Sequence, residues 1–147
     1  MLDDKDEKIL SELVKDGRRS GVEISAELGV PRATVQERLK RLVETKVIRR
    51  FAAIPDYSKI GKEVTAYVLV TFGGEARVSQ RSLAEEISKM PEVFEVAVIS
   101  GGWDILLKVR AGSVEEIGKL VVDRLRAMKG IEKTETCVAF QTIKESF

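Results

Sequence analysis

The tightest constraint on this chain is a break at Gly29-Val30-Pro31 between two helical stretches of unlike character. Before it, Ser20 is placed to cap a helix whose apolar positions Ile24 and Leu28 lie one turn apart, with small Ala26 between them. Gly29 supplies a left-handed stop, and Val30-Pro31 turns the chain. From Arg32 the helical period resumes, with Val35, Leu39 and Leu42 at i, i+4 and i+7 forming one inward stripe. Arg32, Thr34, Gln36, Glu37, Lys40, Arg41 and Glu44 leave the rest of that helix polar. Two helices crossing at such a turn, the second polar, form a helix-turn-helix.

A helical hairpin can also be nothing more than packing, so charge has to separate the two readings. Residues 18–54 hold nine Lys/Arg against four Glu, a net of +5, whereas residues 1–17 hold three basic and six acidic side chains, a net of −3. The basic excess begins where the hairpin begins, as an electrostatic footprint on phosphate would. The second helix spans about 14 residues, roughly 20 Å, enough to lie in a major groove. Net charge over the whole chain is only +1, so a nucleic-acid contact must come from this local patch.

Other classes are disfavoured by what the composition lacks. One cysteine, Cys137, permits no internal disulfide, and there is no histidine, which removes most metal and nucleophilic schemes. No glycine-rich phosphate loop precedes a helix, so neither enzymatic activity nor a cofactor or metal is expected. No apolar run approaches a membrane span, the N-terminus lacks a signal peptide's hydrophobic core, and a reduced cytoplasmic setting fits best. The absence of Asn, the three Gln and a charged fraction of 33% resemble a thermophile's composition.

Taken in order, residues 3–16 form a first helix with acidic residues at its start, a buried stripe of Ile9, Leu10, Leu13 and Val14, and Gly17 as its end. Residues 47–54, β-branched and aromatic, read as a strand covering one edge of a small winged domain over 1–54. Its Arg49-Arg50 pair is either a phosphate contact or simply solvated. Residues 55–63 are a turn-rich linker. From residue 64 to 147 the grammar is β-α-β-β-α-β: strand 64–72 broken by Gly73-Gly74, helix 79–90, strands 93–100 and 104–111, helix 113–128, and strand 134–144. Ser113 with Glu116 suggests a capping box, and Val114, Ile117, Val121, Leu125 and Met128 an inward face. Gly130 closes that helix. This is the ferredoxin-like order, an antiparallel sheet with two helices on one face, so the fold class is α+β. The strands are apolar on both sides, Val68 and Val70 on one and Tyr67 and Leu69 on the other. The second face therefore needs a partner, most simply a second copy's sheet.

These features together resemble the Lrp/AsnC family of transcription regulators over nearly the whole chain. The likeness rests on Leu2-Asp3 with Asp6 and Ile9-Leu10, Asp16-Gly17-Arg18 with Ser20, Thr34-Val35 with Arg38-Leu39 and Arg41-Leu42, and Val47-Ile48. It continues through Gly61, Gly101 with Trp103-Asp104-Ile105, Gly130-Ile131, and Thr134-Glu135-Thr136. It implies binding of double-stranded DNA as a dimer, assembly as far as octamers, and a small amino-acid effector at interfaces of the C-terminal domain. Three positions depart from the family pattern: Pro31 replaces a Ser cap, Ser25 a small apolar residue, and Lys46 a Gly, which would strain a left-handed backbone.

For the DNA face the candidates are Arg32, Thr34, Gln36, Glu37, Lys40 and Arg41, early residues reaching base edges and later ones phosphates. Gln36 suits bidentate contact with adenine. Arg38 is a phosphate clamp or a salt-bridge partner, and Glu37 either reads DNA or pairs with Arg41. For the effector the candidates are Gly101, Gly102, Trp103 and Asp104 with Thr134, Glu135 and Thr136 of a neighbouring subunit. Glycine N–H groups suit a carboxylate, and Asp104 or Glu135 an ammonium. The alternative there is a tight hairpin at an oligomer interface. For the whole chain the alternative is an amino-acid-sensing module that never binds DNA, which would have no need of the basic hairpin.

Overall fold

In the computed structural model, which describes residues 2–73 and 78–145, Asp3 starts α1 (Asp4–Lys15) with a reciprocal cap. The Asp3 carboxylate accepts from the Asp6 N–H at 3.0 Å, and the Asp6 carboxylate from the Asp3 N–H at 3.2 Å. Ser20 and Glu23 build the same box at the start of α2 (Gly21–Leu28). Gly29 then stops the helix in the left-handed region, at φ 63°. Pro31 opens α3 (Arg32–Glu44) with no side-chain cap, its ring fixing the turn instead. Ser25 has a use at the crossing: its hydroxyl donates to the Val30 carbonyl at 2.6 Å, satisfying an acceptor of the turn. Ile9, Leu13, Ile24, Val35, Leu42 and Ile48 form the core of this unit, Met1–Ile54.

Four expectations for this unit change. Val14 is exposed, not buried. It lies about 140° round the helix from Ile9 at 100° per residue, outside the stripe. Glu12 takes the inward side instead, with Lys15 and Arg19 paired to it. Gly17 is not the stop, since the C-cap is Asp16 in an extended conformation. The segment 47–54 forms no strand, because a strand needs a ladder partner and no described residue of this unit offers one. Glu37 does not pair with Arg41, which turns to Asp6 on α1. The strain at Lys46 is real: its φ is +59°, a conformation costing an L-residue about 1–2 kcal/mol. The Ile48 N–H donates to the Leu42 carbonyl at 2.9 Å, which closes this turn and leaves Ile48 in the core.

The second unit, Pro55–Phe147, begins with a 3-10 turn at Tyr57–Ile60 and continues as β1 (Val64–Phe72), α4 (Gln80–Ile87), β2 (Val93–Val98), β3 (Ile105–Ala111), α5 (Val114–Lys119) and β4 (Ile131–Val138). The sheet is antiparallel in the order β2-β3-β1-β4. Ala66, Val68 and Val70 of β1 lie beside Val109, Leu107 and Ile105 of β3, and both helices pack on that face through Leu83, Ile87, Ile117 and Leu125. Gly74 of the expected Gly73-Gly74 break lies outside the described residues.

Here too the details differ. Ser113 caps α5, but Glu116 reaches past it to the Gly112 N–H at 2.9 Å, so no reciprocal box forms. Val114 is exposed, because it stands over a groove beside the edge strand β4 rather than over the sheet. After Lys119 the helix widens into a π-helical stretch, Leu120–Leu125, which brings Leu120, Val121 and Leu125 all inward. The other sheet face is not left bare by its own chain. Arg110 stands there only 3% exposed, with its guanidinium 3.8 Å from the Tyr57 ring centroid and its Nη2 on Glu145. Glu145 also pairs with Lys108. Tyr67, Leu69 and Leu106 on that face remain half-buried.

Candidate nucleic-acid and effector sites

Because Val35 and Leu42 anchor α3 in the core, its opposite side must face water. Arg32, Gln36, Glu37, Lys40 and Arg41 are exposed there, and Thr34 and Arg38 half-buried. A cleft of about 380 Å³ runs among Thr34, Glu37, Arg38, Lys40, Arg41 and Glu44. Lys40 stands 3.7 Å from Glu44 one turn on, an exposed pair that water and salt will readily loosen. The start of α2 lies against α3 at Gly21, where a Cβ would make ordinary contacts, 3.7 Å from Gln36 Cγ and 3.8 Å from Val35 Cγ1. Among the described residues, Arg32, Lys46, Arg49 and Arg50 have no ion-pair partner.

Arg38 and Arg41 are not free. Both reach back to α1, where Arg38 Nη1 donates to Asp6 Oδ1 at 3.1 Å and to Asp3, and Arg41 Nη2 to Asp6. The Arg38 bond, followed by the Asp6 N–H, holds the Asp3 carboxyl down at about 2. Burial pushes the Asp6 carboxyl up, but the Asp3 N–H, the Arg38 bond and the Arg41 charge outweigh it and keep it below the ordinary carboxylate range. Both are therefore ionised at neutral pH, and the bonds to Asp3 and Asp6 in turn raise Arg38. The sequence named these acids only at a helix start and among the family-like positions, and their pairing with Arg38 and Arg41 was missed. Their trace was there: an Asp three residues after an Asp cap, and two arginines at i, i+3 on the facing helix.

The seven effector candidates are only partly gathered. Gly101 has φ +122° and, like Gly102, open space where a side chain would stand. The Asp104 carboxylate accepts from the Phe72 N–H at 2.7 Å, and its backbone N–H donates to Val70 at 3.0 Å, so it locks the end of β1 to β3. Lys133 Nζ lies 5.0 Å from the Trp103 ring centroid, tying the hairpin to the start of β4. Opposite Val70 and Val68, Thr134 and Thr136 share the helix-covered side, where with Val114, Val121 and Arg126 they line a groove of about 330 Å³. Arg126 Nε donates to Thr134 Oγ1 at 3.2 Å. Glu135, opposite Leu69, turns to the other face. Arg126 was not foreseen, and nothing in its local sequence distinguishes it from other helix-end arginines.

Residues 2–43 match the AsnC-type helix-turn-helix domain and residues 65–147 the Lrp/AsnC ligand binding domain. The chain belongs to the Lrp/AsnC family. Lrp/AsnC proteins are transcription regulators, and the likeness extends end to end. An uncharacterized HTH-type transcriptional regulator of Pyrococcus furiosus is 45% identical, covering 99% of this chain and 97% of its own length. The transcriptional regulator AzlB of Bacillus subtilis is 32% identical over 99% of this chain and 93% of its own. Among solved structures, a transcriptional regulator of Neisseria meningitidis in complex with L-Met superposes with a TM-score of 0.92 at 25% identity, covering 99% of this chain and 94% of that one. An α+β Lrp/AsnC architecture is thus established, and no described helix is long and apolar enough to cross a membrane.

Proposed function

We propose that this Lrp/AsnC regulator binds duplex DNA sequence-specifically as a dimer, with α3 in the major groove. The observation that carries this is the face of α3 turned away from the core, where Arg32, Gln36 and Lys40 stand exposed on a helix anchored by Val35 and Leu42. Arg32, Thr34, Gln36 and Glu37 face base edges. Lys40, with the unbound edges of Arg38 and Arg41, meets phosphates, joined by Arg49 and Arg50. A dimer presents two such helices, so half-sites recur at about one helical turn or a multiple of it. Affinity selection from a random duplex pool tests this: a near-palindromic consensus is expected, bound more weakly as salt rises. Gln36→Ala should relax one consensus position at about 1–3 kcal/mol, while Lys40→Ala weakens all sequences alike and removes about one phosphate from the salt slope. Equal losses on selected and random DNA for both variants would overturn these roles.

The effector we propose is an amino acid, the class of ligand in the L-Met complex of the Neisseria regulator, and the site we propose for it is where the Gly101–Asp104 hairpin meets Thr134, Glu135 and Thr136 of a neighbouring subunit. Gly101 and Gly102 offer N–H groups to the carboxylate, and the Asp104 oxygen not held by Phe72 accepts from the ammonium. Trp103 favours an apolar side chain. In a thermal-shift screen of the twenty amino acids, at least one should raise the melting temperature at millimolar concentration. Asp104→Ala should abolish that rise, read against the variant's own ligand-free value. A shift that survives Asp104→Ala places the ligand elsewhere.

A further inference from the structure

We propose that Asp6 is a positioning residue for DNA recognition: from α1 it holds Arg38 and Arg41 so that their unbound guanidinium edges are presented to phosphate. The proposal rests on α3 being the recognition helix. The Asp6 side chain has 0% exposure, a rare place for a carboxylate and a costly one unless its charge is paired and both oxygens are bonded. Here both are bonded: Oδ1 accepts from Arg38, and Oδ2 from Arg41 and the Asp3 N–H. Each arginine commits a single nitrogen to these acids, and a guanidinium carries five N–H donors in a rigid fork. The side chains of Arg41 and Arg38 keep 49% and 22% of their exposure, so each retains an outward edge. Ile9 and Leu13 packed with Val35 and Leu42 can fix the helix but not the direction of a long side chain. Fixing it is what Asp6 adds, since an arginine already held in place loses less freedom on meeting phosphate.

Charge and geometry make opposite predictions, which allows a test by sign. As a mere counter-charge Asp6 opposes DNA, so Asp6→Asn would tighten binding to every sequence. As a positioning residue, its loss weakens binding despite the gained charge. The experiment takes the full chain, a duplex selected by the wild type and a random duplex, at a temperature where circular dichroism shows both proteins folded. Asp6→Asn should bind the selected duplex about tenfold more weakly, with a salt slope reduced by about one phosphate contact. Adding Arg41→Ala to Asp6→Asn should cost less than about twofold more, because both changes remove the same contact. Binding of the selected duplex as tight as wild type, or fully additive losses, would overturn the proposal. If Asp6→Asn does not fold, Arg41→Gln alone carries the test, and unchanged affinity and slope overturn it. A wild type that binds no duplex would overturn the recognition-helix reading first, and this inference with it.

Discussion

Leu42→Ala should melt the N-terminal unit while the C-terminal unit stays folded. Leu42 is buried in a core of six side chains, contributed by the three helices and Ile48, with the partly buried Leu10, Leu28, Val30 and Leu39 packed against it. Deleting such a side chain typically costs about 2–5 kcal/mol. A unit of 54 residues at roughly 0.05–0.15 kcal/mol per residue has about 3–8 kcal/mol in all. One truncation thus removes most of the margin, whereas the sheet unit has its own core of fourteen buried residues and loses nothing. The single tryptophan, Trp103, lies in the second unit, so its fluorescence follows that unit alone. The expected result is an early loss of helical circular dichroism with the Trp103 transition unmoved, and with it a loss of DNA binding. Both signals moving together would show that the two cores are not independent.

Gly130→Ala should cost the second unit more than Gly101→Ala, although both glycines have positive φ. Gly130 sits at φ +97°, where an added Cβ would stand 2.8 Å from Phe72 Cε2 and 3.6 Å from Leu83 Cδ2. The turn cannot slide away, because the Gly130 carbonyl accepts from the Gly73 N–H at 2.9 Å. Backbone strain of about 1–3 kcal/mol therefore adds to a packing clash of similar size. Gly101, at φ +122° with nothing within 4 Å, pays the strain alone. Thermal denaturation by calorimetry separates them, with the larger fall in Tm expected for Gly130→Ala. Equal falls would mean that the Phe72 ring swings aside without cost.

Most of the fold was legible because its signals are local. Ser20, Gly29, Ser79 and Ser113 mark helix ends by bonds to residues within a turn, and the change from a helical period to β-rich runs apolar on both sides at residue 64 announces the sheet. The left-handed Lys46 came instead from the family resemblance, as a Lys where the family has Gly, and its φ of +59° agrees. The exposed face of α3 follows from the same period, once Val35 and Leu42 are known to be inside.

What only the tertiary structure decided involves partners far apart in the chain. Asp6 looks like one more acid at a helix start, and its burial depends on Arg38 and Arg41, 32 and 35 residues away. Asp104 reads as a free ligand for an ammonium until Phe72, 32 residues back, is seen donating to it. Nothing in the sequence around Arg110 marks it for burial, yet Tyr57 and Glu145 close over it from opposite ends of its unit. Residues 47–54 have the composition of a strand but no ladder, since pairing belongs to the partner as much as to the segment. Local sequence sets which hydrogen bonds a helix or turn can close on itself. A buried charge or a strand is decided by whatever the fold brings beside it, and periodicity carries no record of that.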